Sequence, residues 1–525
     1  MVTAALPRNA ATSTNALQLP AAGNEANVLP ETPTAETSFS IQAVEEVEIS
    51  DRDRRTLAAA NPDRKMGKRK KLATRKEVQD IIAGMDPASC GPPCMTVPVP
   101  PEVLKLNEEY KDLFSSQLPP GLPTPRPTDH RIDFPEKFRI PAPRLYRLAY
   151  AEDAELLKQL ADLKAHGYIK EVTSPFGSGI LFVPKANGKL RMVVDYRPIN
   201  KLTVVDKYPL PRIDEMLDRV GDASYFSKLD LHSGFHQIRV FPDHVERTAF
   251  RTKYGTFAYQ VMPFGLCNAP ATFQRTMDFI FQNMRAFAGA YIDDILVYTK
   301  TLGEHLVALR QVYDRLRLEK FFAGPDKCSW AQPEVEYCGF ILGSQGVRPQ
   351  PQKLLAVRHW PPPKSVTEVR SFLGLCGFYQ RFVVDYASVA APLTDLMQKG
   401  KEWAWQPQQQ HAFEALKARL QQAPVLVHPD PKKPFLLHTV ASDVGVGATL
   451  SQTDAEGVPR LVACRSRKLN KAQKNYPVHE KEMLALVDAL KDWRHYLLGS
   501  EIHIFTDNSA LNYLKNLARQ SSRKI

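Results

Sequence analysis

Residues 290–298 read AYIDDILVY, two adjacent aspartates held between short apolar runs. Those runs are rich in β-branched and aromatic side chains, which predicts two strands with Asp293 and Asp294 at the turn of a buried hairpin. Burying two charges without compensation costs several kcal/mol, so either solvent or a cation must offset them. A solvated polar turn would meet that demand, and a Tyr-x-Asp-Asp string alone is a weak signal. Asp230 changes the balance, because the run 224–231 (SYFSKLDL) is also apolar, ends near Asp230 and is followed by the turn HSGF (232–235). Two neighbouring strands of one antiparallel sheet, separated by a hairpin and a helix, would have that spacing. Three carboxylates are therefore expected to converge at one sheet edge. Such oxygen donors suit a pair of Mg²⁺ ions, hard cations that keep positions open for substrate oxygens. The chemistry that pair supports is nucleotidyl transfer, in which an attacking hydroxyl is acidified and a departing pyrophosphate neutralised.

The flanking sequence supplies the elements around that sheet. Residues 151–170 (AEDAELLKQLADLKAHGYIK) set Leu156, Leu157, Leu160 and Leu163 on one face, with acids in the first turn and Gly167 past the end, predicting an amphipathic helix. GILFVPK (179–185) and KLRMVVDY (189–196) are β-type runs around Ala186-Asn187-Gly188, a strong hairpin signal. The tip is basic, with Lys185, Lys189 and Arg191, and is either a solvated turn or a phosphate clamp. HQIRV (236–240) reads as a resumed strand, and TAFRTKYGTFAYQVM (248–262) as a hairpin turning at Tyr254-Gly255. A helix follows, with Asn268 as N-cap, Pro270 in the first turn and Phe273, Met277, Ile280, Phe281 and Met284 as its apolar face. Another helix, 304–320, presents Leu306, Leu309, Val312, Tyr313 and Leu316.

At 525 residues the chain exceeds what one core usually supports, so several domains plus non-globular segments are expected. The 26 glycines carry no triplet period, which excludes a collagen-like class. Within residues 1–100 the single aromatic is Phe39, too little apolar surface to offset the entropy of ordering, so a mostly disordered leader is expected. It contains the basic run 64–76 (RKMGKRKKLATRK), which is either a solvated charge run or a nuclear-localisation or nucleic-acid patch. Residues 101–150, including PPGLPTPRPTDHRIDFP (119–135), read as a proline-rich extended leader. The formal charge of +12 favours a polyanionic partner. No apolar run reaches the ~18 residues that span a bilayer, and the N-terminus lacks a secretory pattern, so no membrane partner and an intracellular location are expected. Cys90 and Cys94 are followed by no Cys or His pair at zinc-ligand spacing.

Five strings, in this order, carry a resemblance: 174–217 (SPFGSGILFVPKANGKLRMVVDYRPINKLTVVDKYPLPRIDEML), 226–240 (FSKLDLHSGFHQIRV), 248–278 (TAFRTKYGTFAYQVMPFGLCNAPATFQRTMD), 291–300 (YIDDILVYTK) and 370–393 (RSFLGLCGFYQRFVVDYASVAAPL). With them the chain from about 101 to 517 resembles the polyprotein of gypsy-type long-terminal-repeat retrotransposons, a reverse transcriptase followed by the start of its ribonuclease H. The resemblance implies an α+β right-hand polymerase with an antiparallel palm sheet: fingers and palm over 151–345, thumb and connection over 346–430, and a truncated ribonuclease-H-like α/β segment over 431–525. It implies that Asp230, Asp293 and Asp294 bind two Mg²⁺ ions, Mn²⁺ being a substitute, with the Leu231 carbonyl as a further ligand. Lys185 and Arg191 match residues that hold the incoming triphosphate, Phe235 the steric gate against a 2′-hydroxyl, and Phe264 a contact to nucleotide and template. Tyr337, Cys338, Gly339, Phe340 and Ile341 (YCGFI) fall near the primer grip. The implied partners are an RNA template, a DNA primer/template, an RNA–DNA hybrid and deoxynucleoside triphosphates, bound in cytoplasmic particles and, through the basic run, in the nucleus.

The chain departs from the family in its last part. The first ribonuclease H ligand is expected in a Thr-Asp-Ala-Ser string, and here the string is Thr439-Val440-Ala441-Ser442. Asp443 lies three residues beyond Val440. Glu482, rather than Glu480, and Asp507 match the second and third ligands, while the final ligand and helix are expected beyond Ile525. Valine cannot bind a cation, so ribonuclease H activity is expected to be lost, and restoring Asp at 440 alone is not expected to bring it back. The expected activity is that of an RNA-directed and DNA-directed DNA polymerase; the competing reading is a catalytically silent nucleic-acid-binding remnant of a mobile element.

Overall fold

The structure, a computed structural model, describes residues 94–142, 145–184 and 190–505. Expectations for residues 1–93, including the basic run 64–76 and Cys90, for Lys185 and the hairpin tip, and for Asp507 lie outside the described residues.

In chain order the elements are α1 (Pro101–Glu109), α2 (Tyr150–Ala165), β1 (Ile169–Glu171), β2 (Ile180–Pro184), β3 (Leu190–Val194), α3 (Ile213–Arg219), β4 (Tyr225–Asp230), β5 (Phe250–Thr252), β6 (Gly255–Tyr259) and α4 (Ala269–Ile280). There follow β7 (Ala288–Tyr291), β8 (Asp294–Thr299), α5 (Leu302–Leu318), β9 (Ser329–Gln332), β10 (Glu334–Tyr337), β11 (Phe340–Gly343) and β12 (Gly346–Pro349). Four helices come next: α6 (Pro351–Arg358), α7 (Val366–Phe378), α8 (Tyr386–Asp395) and α9 (Pro407–Gln421). The C-terminal unit holds β13 (Phe435–Ala441), β14 (Gly445–Thr453), β15 (Pro459–Lys468), α10 (Val478–Asp492) and β16 (Ile502–Phe505).

The central sheet has the order β7-β8-β4-β9, with every pairing antiparallel. Its buried strands carry Phe226, Leu229, Ile295 and Val297, each fully enclosed, and α4 and α5 cover it with Phe273, Met277, Leu309, Val312 and Tyr313. Burial of side chains this size contributes about 1.5–3 kcal/mol each, which is what holds polar strand ends in a fixed place. The β2–β3 hairpin precedes the central sheet in sequence, the sheet β1-β6-β5 takes β1 from before β4 and its β5–β6 hairpin from between β4 and β7, and the β10-β11-β12 meander follows. The C-terminal sheet, β15-β14-β13-β16, pairs β13 and β16 in parallel, and its own core contains Phe435, Leu437, Leu450, Val462 and Trp493.

Several local expectations need correction. Residues 101–113 are helical: α1 and a 3₁₀ turn over Lys111–Leu113 bury Val103, Leu106, Tyr110 and Leu113. Pro101 is tolerated in the first turn, and the Val103/Leu106/Tyr110 stripe packs on α5, where Tyr313 Oη donates to Asn107 Oδ1 at 2.8 Å. In α2 only Leu156 and Leu160 are fully buried, while Leu157 points outward. Residues 234–237 form a 3₁₀ turn rather than strand, started by Ser233 in the left-handed region. Asn268 precedes α4 but does not cap it with its side chain, which instead accepts from the Asp206 N–H and donates to the Val204 carbonyl. Met284 lies beyond the end of that helix. The next helix begins at Leu302, because Thr301 and Glu304 form a reciprocal capping box.

Candidate active site

The hairpin of β7 and β8 turns at Ile292-Asp293, where Ile292 has φ of 54°. A β-branched residue is strained there, and the strain is held by the Ile292 side chain in the core and by its N–H, which donates to Gln274 Oε1 at 2.9 Å. Beside it, β4 pairs with β8 so that Asp230 and Asp294 are direct partners across the ladder. The Leu231 N–H donates to the Asp293 carbonyl at 3.2 Å, which ties the end of β4 to the turn. Asp230, Asp293 and Asp294 are thereby set at one end of one antiparallel sheet, as the spacing predicts.

Their side chains are less convergent than expected. Lys228 Nζ stands 3.0 Å from Asp294 Oδ1, and Lys327 Nζ 3.2 Å from Asp230 Oδ1. Among the described residues no group of three or more His, Cys, Asp or Glu side chains closes on one point as a metal ion requires. The donor chemistry nonetheless fits a divalent cation. Burial, then the Asp294 carboxylate and more weakly Asp230, hold the Asp293 carboxyl up at about 6. A carboxyl that is buried first and beside other carboxylates second is one whose charge a cation would compensate once the carboxylates turn away from the two ammonium groups. Cys328 and Cys338 flank the site as protonated thiols, pushed up by burial to about 11 and about 12.

Phe235 lies in the 3₁₀ turn after Asp230 and meets Phe264 at 5.0 Å and Phe273, edge-on, at 5.5 Å between ring centroids. The Arg191 guanidinium sits 4.6 Å over the Phe264 ring, so the β2–β3 hairpin reaches the loop before α4. Three of the residues expected to hold a nucleotide are thus neighbours. At the YCGFI segment, Cys338 and Gly339 form the turn between β10 and β11, both with positive φ. Tyr337 Oη donates to the Asp294 carbonyl at 3.3 Å, and Phe340 and Ile341 are buried. The Gly339 carbonyl accepts from Tyr379 Oη at 2.8 Å, which docks this hairpin on the end of α7.

Besides Gln274, a further residue that braces this site carries no local mark in the sequence. Arg126, in the proline-rich segment, donates to the carbonyls of Gln237 (2.9 Å from Nη1) and Glu319, and lies over the Phe321 ring at 4.4 Å. A single arginine between prolines carries no local sign of burial, so no pattern in the sequence marks it.

In the C-terminal unit Val440 lies on β13 and is about half exposed, while Glu482 is buried on α10. Asp443 is engaged by Lys481 Nζ at 2.8 Å. No aliphatic side chain can serve as an oxygen donor, so the first expected ligand is missing from that sheet.

A family model described as reverse transcriptase (RNA-dependent DNA polymerase) matches residues 183–342, and one described as the RNase H-like domain found in reverse transcriptase matches residues 405–504. The retrovirus-related Pol polyprotein from transposon 297 of Drosophila melanogaster is 39% identical over 385 residues, covering 72% of this chain and 36% of its own length. The transposon Tf2-3 polyprotein of Schizosaccharomyces pombe is 36% identical over 416 residues, covering 78% of this chain and 31% of its own. The chain therefore spans about a third of the length of these relatives. Among solved structures, the foamy viral protease-reverse transcriptase in complex with dsDNA superposes with a TM-score of 0.70 at 22% identity, over 86% of this chain and 92% of that one. At that identity the likeness shows the fold, a reverse transcriptase architecture. The same viral protein in complex with an RNA/DNA hybrid gives 0.66, over 88% of this chain and 61% of that one. With a reverse transcriptase domain followed by the RNase H-like domain of such enzymes, and with transposon Pol polyproteins as its relatives, the chain belongs to the gypsy-type long-terminal-repeat retrotransposon Pol family.

Proposed function

We propose that this chain extends a primer 3′-hydroxyl with deoxynucleotides on RNA and DNA templates, and that its RNase H-like domain does not cleave RNA. The observation that carries the polymerase reading is the cross-strand pairing of Asp230 with Asp294 next to Asp293. These three carboxylates, with the Leu231 carbonyl, would hold a pair of Mg²⁺ ions, or Mn²⁺ in their place. Bound there, the cations would acidify the primer hydroxyl and neutralise the departing pyrophosphate. Arg191 would hold the triphosphate by charge-assisted hydrogen bonds, together with Lys185. Phe235 would lie against the sugar and exclude a 2′-hydroxyl, with Phe264 beside it. The β10–β11 turn at Cys338-Gly339 would support the primer end. The nucleic acids bound by the foamy viral enzyme support the same class of partner here, a primer/template duplex or an RNA–DNA hybrid.

The test is Mg²⁺-dependent primer extension on an RNA template, with cleavage of a labelled RNA–DNA hybrid read in parallel. Extension without cleavage is the expected result, and Asp293→Asn is expected to lower extension by roughly a hundredfold or more. Full activity in that variant would end the assignment of the triad. A chain that binds the hybrid and never extends a primer would instead be a silent binding remnant.

A further inference from the structure

We infer that Arg126 is a positioning residue for sugar selection: it fixes, from the segment before the polymerase core, the turn that carries Phe235. The inference rests on the polymerase reading and names a specificity determinant of that same site. The turn His232–Gln237 joins Asp230 to the strand-like stretch beyond it, and it is braced from two sides. On one side Gln237 uses its whole amide: Nε2 donates to the carbonyls of His232 at 2.7 Å and Phe322 at 2.9 Å, and Oε1 accepts from the Phe322 N–H at 2.8 Å. On the other side the Gln237 carbonyl accepts from Arg126 Nη1 at 2.9 Å, while Arg126 also donates to the Glu319 carbonyl just past α5 and stands 3.6 Å from the Glu319 carboxylate. One guanidinium therefore joins the gate turn to the end of α5.

A second route runs through rings. Arg126 covers Phe321 at 4.4 Å, Phe321 meets Phe273 edge-on at 6.4 Å, and Phe273 meets Phe235 edge-on at 5.5 Å. The Arg126 side chain is 5% exposed; its two terminal nitrogens have carbonyl acceptors, and its buried Nε makes no hydrogen bond and faces the Glu319 carboxylate at 3.6 Å. Its planar fork sets its donors in a fixed geometry that reaches two carbonyls at once, whereas the three donors of an ammonium group are not pre-set in direction. Sugar selection is a sub-ångström discrimination between a hydrogen and a hydroxyl, so slack in this turn should be felt there before it is felt at the aspartates, which the β4–β8 ladder holds independently.

The experiment compares wild type, Arg126→Lys and Arg126→Met for kcat/KM with a deoxynucleotide and with the matching ribonucleotide. The expected result is a loss of sugar discrimination of about tenfold in Arg126→Met, smaller in Arg126→Lys, with kcat for the deoxynucleotide within about threefold of wild type. Equal loss for both sugars, or an unchanged ratio in a well-folded variant, overturns the proposal. Should Arg126→Met fail to fold, Arg126→Lys decides alone by the same ratio. The polymerase reading is separated by an Asp293→Asn background, in which extension fails but the two nucleotides are still ranked by trapping them on a chain-terminated primer/template. A wild-type chain that never extends overturns the polymerase reading. A trapped-complex ratio indifferent to residue 126 overturns the brace.

Discussion

Burial moves two titrating groups packed at the central sheet, Asp293 in the β7–β8 turn and His305 on α5, in opposite directions, and each leaves a different pH signature. Asp293 is held up at about 6, so its charged form burdens the fold above that pH and acid relieves it. His305 is pushed down to about 4 by burial alone. Its ring joins three elements: Nε2 lies 2.7 Å from Ser227 Oγ on β4, and Nδ1 lies 2.9 Å from Thr299 Oγ1 on β8. The Ser227 hydroxyl also accepts from the Ala331 N–H at 2.8 Å, which extends the network to β9. A neutral imidazole can donate at one nitrogen and accept at the other, and protonation removes the acceptor. Because the folded value lies below the unfolded 6.5, this ring's contribution is complete above pH 6.5 and is lost as pH falls toward 4. Between pH 7.5 and 5 the loss is on the order of 2 kcal/mol. Urea unfolding of wild type and His305→Gln at those two pH values checks this: the variant should lose less stability on acidification, and an equal loss would exclude His305 as the cause.

At the scale of elements, the catalytic hairpin depends on the helix beneath it. Gln274 on α4 is fully buried, donates from Nε2 to the Ala290 carbonyl at 3.0 Å and accepts from the Ile292 N–H at 2.9 Å. It therefore pins the chain as it leaves β7 and enters the β7–β8 turn. Gln274→Leu keeps the volume but leaves a buried donor and acceptor without partners, at a cost of about 2–3 kcal/mol. Primer extension measured well below the melting temperature should fall further than this stability loss explains, since the turn carries Asp293; an unchanged kcat would show the turn to be self-supporting. The hairpin itself was legible in the sequence because AYIDDILVY states its pattern locally, as do Asp230 and the β5–β6 turn. Gln274 was not, since within FQRTMD it reads as one more polar helix position, and its use depends on a hairpin many residues later. Arg126 and the α1 clasp were hidden for the same reason: proline spacing signals an extended path, whereas their burial is decided by α5 and by the gate turn. The side-chain turn of Asp230 and Asp294 toward lysines is likewise a tertiary outcome that a motif does not encode.

Across the described residues, the RNase H-like sheet is joined to the polymerase by a set of polar side chains, beside Leu461 of β15, which packs against the apolar cluster of Phe340, Phe372 and Phe413. On α3, Asp218 accepts a short hydrogen bond from Tyr496 Oη, and Arg381, just past α7, reaches Asp214 at 3.0 Å and Asp218 at 3.9 Å. Farther along, Lys468 at the end of β15 pairs with Asp395 of α8 at 2.6 Å, and the Ala387 N–H donates to Ser466 Oγ at 2.8 Å. Burial raises the Asp218 carboxyl above its ordinary value, and the tyrosine and arginine offset that. Each partner comes from a different part of the chain, so Asp218 is where α3, the segment after α7 and the RNase H-like domain meet. Removing one member of this partly buried, hydrogen-bonded cluster costs about 1–3 kcal/mol, because Tyr496 and Arg381 lose a charged partner. Asp218→Ala should thus loosen the junction without touching either sheet, the apolar core of β13–β16 being its own. In calorimetry the variant is expected to melt in two separated transitions, the lower belonging to the RNase H-like domain, and limited proteolysis should cut between α9 and β13 sooner than in wild type. A single transition shifted as a whole, with no new cleavage, would mean that the two domains are coupled through Lys468 and Ser466 instead.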